Sequence, residues 1–150
     1  MGIGKSVQSL ACSLLFPECF PLLIICPSAL KHVWKDEALK WLQGIVPEPQ
    51  VVIIKKGTLK VGELSHAKII ISSYEITSKL TDELTFCQSV ICDEAHYLKN
   101  PDTSRCKFLV PFLTKKKRVF LLTGTPALAK PRELFNLLNI LRPDIFKRLE

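Results

Sequence analysis

The apolar residues of this chain come in short, unbroken runs separated by longer stretches in which they recur every three or four positions. Leu22-Leu23-Ile24-Ile25-Cys26, Val51-Val52-Ile53-Ile54, Ile69-Ile70-Ile71, Ser89 to Cys92 and Val119-Phe120-Leu121-Leu122 are the runs. Runs of this length without alternation predict strands buried on both faces. Between them, Lys5 to Phe16 carries Val7, Leu10, Ala11, Leu14 and Leu15 on one helical stripe, and Pro17 ends it. Ala29 to Leu42 carries Leu30, Val33, Trp34, Ala38, Leu39 and Trp41 at helical spacing, with Ser28 as its expected N-cap and Gly44 and Pro47 beyond its end. Further helices are expected between Ile76 and Leu84, from Ser104 to Leu113 despite Pro111, and from Pro131 to about Leu141, closed by Pro143. Lys55 to Gly62 reads as a basic loop. Strands alternating with helices predict an α/β fold around a parallel sheet.

In such a sheet, ligands gather at the carboxyl ends of the strands. Four of the five runs are followed there by a polar cluster: Pro27-Ser28, Ser72-Ser73-Tyr74, Asp93-Glu94 and Thr123-Gly124-Thr125. This placement does not depend on matching any motif. The chain shows no internal repeat and no low-complexity segment.

Composition refines the picture. The 150 residues are 47% hydrophobic, enough for one domain with a sizeable core and against disorder. The net charge of +7 favours a polyanionic partner such as nucleic acid, the alternative being a solvated basic surface. Cys12, Cys19, Cys26, Cys87, Cys92 and Cys106 include no Cys-x-x-Cys pair, which speaks for buried thiols rather than a zinc site or disulfide framework. Leu10 to Cys26 is apolar, but Pro17, Glu18 and Pro21 interrupt it, so neither a membrane span nor a signal core is expected.

Two motifs carry chemistry. Gly2-Ile3-Gly4-Lys5-Ser6 opens the first helix. Gly2 and Gly4 let amides approach phosphate oxygens, Lys5 reaches the β and γ phosphates, and Ser6 offers a hydroxyl to magnesium. The same residues fit an N-myristoylation pattern, but the phosphate-loop reading also accounts for the rest of the chain. Asp93-Glu94-Ala95-His96 follows a buried strand: Asp93 is the candidate magnesium carboxylate, Glu94 the candidate base for an attacking water, and His96 a link to a neighbouring motif. Thr123-Gly124-Thr125 offers hydroxyls that can sense nucleotide state. Lys99-Asn100 and Ser72-Ser73-Tyr74 are candidates for phosphate contacts, each weak alone. Lys115-Lys116-Lys117-Arg118 reads as a solvated charge run, and His32 and His66 as ordinary surface or packing residues.

Together these segments resemble the first motor lobe of the Swi/Snf family of helicase-like ATPases. Met1 to Ser6 is similar to the family's Met-Gly-Leu-Gly-Lys-Thr. Ile25-Cys26-Pro27-Ser28, Ser72-Ser73-Tyr74-Glu75, Asp93 to His96 with Leu98-Lys99-Asn100, and Leu121 to Pro126 match its other segments in order. Thr-Gly-Thr-Pro at 123–126 differs from the Ser-Ala-Thr of RNA helicases. Ala127 to Phe135 resembles the HepA-related annealing-helicase branch, which rewinds DNA at stalled forks, rather than chromatin remodellers.

The resemblance implies a three-layer RecA-like parallel sheet with helices on both faces, and ATP and Mg2+ as cofactors. It casts residues 1–150 as a partial ATP-binding lobe, with the first strand, the adenine-reading segment and the second lobe missing. Pro27, Ser28, Ser72, Ser73, Tyr74, Lys99 and Asn100 would face DNA, and His96 and Thr123 to Thr125 would couple the two sites. The partner would be duplex or forked DNA, with a single-strand-binding protein or a replication clamp recruited through missing domains. No membrane partner is expected, and the location would be the nucleus. The alternatives are a non-catalytic DNA- or protein-binding fragment and a chromatin remodeller of the same family.

Arginine fingers from a second lobe are worth roughly 10³–10⁵ in turnover. Residues 1–150 alone should therefore hydrolyse ATP negligibly. Appreciable MgATP turnover by the purified chain, lost on Lys5→Ala, would refute this.

Overall fold

The computed structural model describes residues 4–60, 62–100, 102–124 and 131–146, with the side chains of 131–133 left aside. Five strands form one sheet: β1 (Leu22–Cys26), β2 (Val51–Ile53), β3 (Ile69–Ser73), β4 (Ser89–Cys92) and β5 (Arg118–Leu121). Every neighbouring pair is parallel, in the order β2-β3-β1-β4-β5. Central β1 sets Ile24 beside Ile71 on one flank and Ile91 on the other. All five of its residues are fully buried, as its unbroken apolar run requires.

The helices are α1 (Lys5–Leu14), α2 (Lys31–Trp41), α3 (Tyr74–Thr77), α4 (Ser104–Thr114) and α5 (Pro131–Leu141). They divide between the two faces. Leu22, Ile24 and Cys26 point into a core shared with Leu10 of α1 and with Trp34 and Ala38 of α2. Leu23 and Ile25 point the other way, into a core with Leu109, Phe112 and Leu113 of α4 and Leu137 and Ile140 of α5. The result is the three-layer parallel α/β architecture anticipated above. The edge strand β5 is only half-buried, and Arg118 at its start lies over the Phe16 ring at 4.2 Å.

Local chemistry moves some boundaries. The helix expected within Ile76 to Leu84 starts earlier and is a single turn, Tyr74–Thr77. Ser73 nucleates it: its Oγ accepts from the Ile76 N–H at 3.3 Å, and its carbonyl accepts from Thr77 Oγ1 at 2.9 Å. Turns then follow, and Leu80 and Leu84 bury completely. Ser28 does not cap α2. It opens a 3₁₀ turn, Ser28–Leu30, and the N-cap position falls on Leu30 with no side-chain bond. α1 stops at Leu14, and Pro17 begins another 3₁₀ turn. α4 runs through Pro111, with Thr103 as its cap accepting from the Cys106 N–H. Among the described residues no helix is long and apolar enough to cross a membrane.

Cys12 is exposed and the other five cysteines are buried. Burial pushes the Cys87 thiol up to about 12, and burial together with the nearby Asp93 carboxylate does the same to Cys26. Cys92 is raised by the same two causes, burial first. The thiolate is the reactive form. At pH 8 an alkylating reagent should therefore label Cys12 in the folded chain and reach the other five only after denaturation. Peptide mass spectrometry reads the pattern, and rapid native labelling of Cys26 or Cys92 would contradict this packing.

Candidate nucleotide site

Gly4 takes a left-handed backbone (φ 72°) at the N-cap of α1, and a Cβ there would press on Val7 Cγ1 at 3.2 Å. Glycine is therefore required for the chain to enter the helix. The Gly4 carbonyl accepts the first helical bond, from Gln8 N–H at 3.0 Å, and Gly4 itself has no side chain with which to cap the first turn. Nor does any acidic residue sit in that turn, so the dipole of a ten-residue helix favours an anion there. Lys5 and Ser6 occupy its first two positions, both half-buried.

The strand ladder brings the other motifs to the same edge. Asp93 extends β4, its N–H donating to the Ile25 carbonyl at 2.8 Å. Leu122 N–H donates to Cys92 O at 2.9 Å, and Ala95 N–H donates back to Leu122 O at 2.8 Å. Between these bonds Glu94 adopts a left-handed conformation (φ 51°, ψ 50°), the only non-glycine with positive φ among the described residues. A non-glycine there costs free energy that the flanking bonds sustain, a pattern common at functional sites. Gly124 closes the group: a Cβ on it would lie 3.7 Å from Lys5 Nζ. The first-helix lysine, the strand-end carboxylates and the Thr123-Gly124 segment thus lie at one end of the sheet.

Asp93 is held at four points. Besides its N–H, its carbonyl accepts from Tyr74 Oη at 2.7 Å, its Oδ1 accepts from the Glu94 N–H at 2.9 Å, and its Oδ2 accepts from Trp34 Nε1 at 2.9 Å. Burial first, and then the neighbouring Cys92 and Asp93, push the Tyr74 phenol well above its ordinary value, so it stays a donor. Glu94 Oε2 and His96 Nδ1 lie 3.1 Å apart but without hydrogen-bond alignment, and both side chains keep partial solvent access.

The expected DNA-facing residues divide. Ser28 and Asn100 are exposed, and Pro27 and Lys99 are half-buried. Ser72, Ser73 and Tyr74 are buried, and their hydroxyls are committed inward, to the Ser73 carbonyl, the α3 cap and Asp93. An outward role for those three side chains is therefore corrected to a supporting one. Asn100 Oδ1 accepts from the Asp102 N–H, shaping the loop into α4. From α5, Asn136 Nδ2 donates to the Leu98 and Lys99 carbonyls. Gly2 and Thr125 lie outside the described residues.

Sequence reasoning missed Trp34, Tyr97 and Arg105. Tyr97 stacks on Tyr74 (centroids 5.3 Å apart, planes 9°), and Arg105 lies over Tyr97 at 5.2 Å while pairing with Glu75 at 3.3 Å. Trp34 looked like one more apolar position of α2, and nothing local marks its N–H as reaching a carboxylate 59 residues away.

A separate apolar groove of about 530 Å³ opens by Pro21, Leu59, Leu64, Ala67 and Phe86, toward the amino ends of the strands. It contains none of the candidate residues. Among the described residues no group of three or more His, Cys, Asp or Glu could hold a metal by itself. A magnesium ion here would be held by one carboxylate, a hydroxyl, water and phosphate oxygens, its usual mode with nucleotides. The helix start at Gly4, Lys5, Ser6 and Asp93 suit such a group.

A parallel three-layer sheet with an anion-ready helix start and paired carboxylates at its carboxyl edge defines a nucleotide-binding α/β domain of the helicase kind. The chain belongs to the SNF2-related domain family, which matches residues 1–150. It is 37% identical over 150 residues to the SWI/SNF-related matrix-associated actin-dependent regulator of chromatin subfamily A-like protein 1 of Xenopus tropicalis, covering 99% of this chain and 15% of that protein. It is 38% identical over 154 residues to the DNA annealing helicase and endonuclease ZRANB3 of Bos taurus, covering 97% of this chain and 14% of that one. The chain thus spans about a seventh of the length of these relatives. Among solved structures it is similar to the Sulfolobus solfataricus SWI2/SNF2 ATPase core in complex with dsDNA, with a TM-score of 0.73, 25% identity, and 95% of this chain and 30% of that one covered. The Pyrococcus furiosus Hef helicase domain shares the fold (TM-score 0.74, 15% identity, 94% and 31% covered).

Removing the Tyr74 hydroxyl leaves the Asp93 carbonyl without that donor, so Tyr74→Phe should lower stability by about 1–3 kcal/mol. Urea unfolding of the chain measures it, and an unchanged midpoint would mean that this bond does not hold the Asp93 backbone.

Proposed function

We propose that this chain is the ATP-binding lobe of a DNA-dependent ATPase that moves along duplex or forked DNA and rewinds it, acting in fork remodelling and repair in the nucleus. The observation that carries the reading is the approach of Gly124 to Lys5 at the same sheet edge as the fixed Asp93. The names of the relatives, an annealing helicase among them, and the dsDNA complex of a similar core support the DNA-rewinding part. The +7 charge agrees with a polyanionic partner.

In this reading the α1 amides and Lys5 bind the phosphates, with Lys5 as a point charge. Ser6, through its hydroxyl, and Asp93, through its carboxylate, would hold the metal. Bound MgATP supplies the phosphoanhydride bond and the metal's charge. Glu94 orients the attacking water and accepts its proton at the carboxylate. His96 beside Glu94, and the Thr123-Gly124-Thr125 motif through the approach of Gly124 to Lys5, link the site to the DNA-facing turns at Pro27-Ser28 and Lys99-Asn100. Ser72, Ser73 and Tyr74 shape that side from within. Single-strand-binding protein or a replication clamp would be engaged by other parts of the whole protein.

In the whole protein, Glu94→Gln should retain MgATP binding and lose turnover by about 10²–10⁴. Unchanged turnover would remove Glu94 from the role of base. ATP-dependent rewinding of a forked duplex, abolished by Lys5→Ala, is expected. Nucleosome sliding without rewinding would move the protein to the chromatin-remodelling branch.

A further inference from the structure

We infer that Trp34 is a positioning residue for the Asp93 carboxylate, setting how readily the site takes up magnesium; this rests on the nucleotide-site reading above. Trp34 sits on α2, packed on the sheet face that carries Ile24 and Cys26, and is 3% exposed. Its indole N–H reaches across to Asp93 Oδ2 at 2.9 Å, while the Glu94 N–H takes Oδ1 at 2.9 Å. The two donors come from different elements and bind different oxygens, so together they fix the carboxylate's rotation about both side-chain bonds. An ionised carboxylate has about four acceptor positions. The described residues use two of them, which leaves two for the water shell of a metal.

A buried indole N–H commonly finds some acceptor. Packing alone would therefore account for a hydrogen bond, but it would not make metal uptake depend on that bond. Trp34 also has a second connection. It lies on the helix that the Pro27-Ser28 turn leads into, so the residue orienting the carboxylate is anchored on the segment assigned to face DNA. Removing the donor while keeping an aromatic ring leaves Asp93 held at its side chain by the Glu94 amide alone. Partners that orient a metal's ligands are worth about 10–100-fold in metal affinity.

The test is equilibrium binding of a fluorescent ADP analogue to the whole protein across a magnesium titration, comparing wild type with Trp34→Phe. The half-saturating magnesium concentration should rise about tenfold in the variant, with nucleotide affinity in EDTA unchanged. A folded Trp34→Phe protein with the wild-type magnesium dependence would overturn the proposal and leave the nucleotide site standing. A wild-type protein that binds no nucleotide with magnesium would overturn both. A second measurement does not require Trp34→Phe to fold. In the 150-residue chain carrying Trp41→Phe, the single remaining indole N–H resonance should lie downfield and move upfield on Asp93→Ala. A resonance that does not move would show that the bond is not formed, and would overturn the proposal.

Discussion

The placement of everything chemical in this chain depends on β1 lying buried between β3 and β4, with all three strands running the same way. Because parallel strands share a direction, their carboxyl ends fall on one edge. Because β1 is apolar at every position, it can occupy only the sheet centre, with a helical layer on each face. Once that strand is placed, Pro27-Ser28, Ser72-Ser73 and Asp93-Glu94 must emerge together. The ladder continues beyond the regular strand through the bond from Asp93 N–H to the Ile25 carbonyl, carrying the rigidity of the core up to the acidic residue.

Asp93 is where that rigidity becomes chemistry. Its backbone is tied on the N–H side to β1 and on the carbonyl side to Tyr74, and each of its carboxylate oxygens has its own N–H donor. Glu94, next in the chain, is forced into a left-handed turn between two sheet bonds. The contrast suits unequal tasks. A carboxylate held by two fixed donors is suited to hold a metal's water shell, whereas one beside an imidazole, as Glu94 is, is suited to exchange a proton. Side-chain identity does not distinguish these two acids. Their surroundings do.

Much of the fold was legible because strand and helix signals coincide with burial. The five apolar runs became the five strands to within two residues, and α4 formed across Pro111 as expected. What failed was local and polar. Ser28 looked like a cap, but the chain leaves β1 through a 3₁₀ turn, which moves the helix start downstream of the serine. Ser73 was not read as a cap, yet its hydroxyl and carbonyl start α3. Of the candidate site, the sequence marks Lys5-Ser6 and Asp93-Glu94 through motifs, and the structure brings these to one end of the sheet. The site was not legible where a residue's role depends on a partner far along the chain. Trp34, Tyr97 and Arg105 have apolar or charged side chains that fit an ordinary helix or turn, and only the folded chain pairs them.

Under the proposed function, the burial of Ser72-Ser73-Tyr74 changes how a signal from DNA would reach the nucleotide. Were those side chains on the surface, phosphates could touch them directly. Being buried, they make that segment a strut whose last residue holds the Asp93 carbonyl, while Tyr97 stacked on Tyr74 carries the contact outward to Arg105. The exposed candidates, Ser28 and Asn100, lie on turns that lead to the same residue by other routes. Ser28 opens the turn into the helix bearing Trp34, which grips the carboxylate. Asn100 follows the Ala95–Leu98 turn that begins directly after Glu94. A shift of either turn therefore has a short mechanical path to Asp93, one ending on its side chain and the other on its backbone neighbour. That convergence needs no long chain of intermediates, because the sheet has already brought the turns and the carboxylate to one edge.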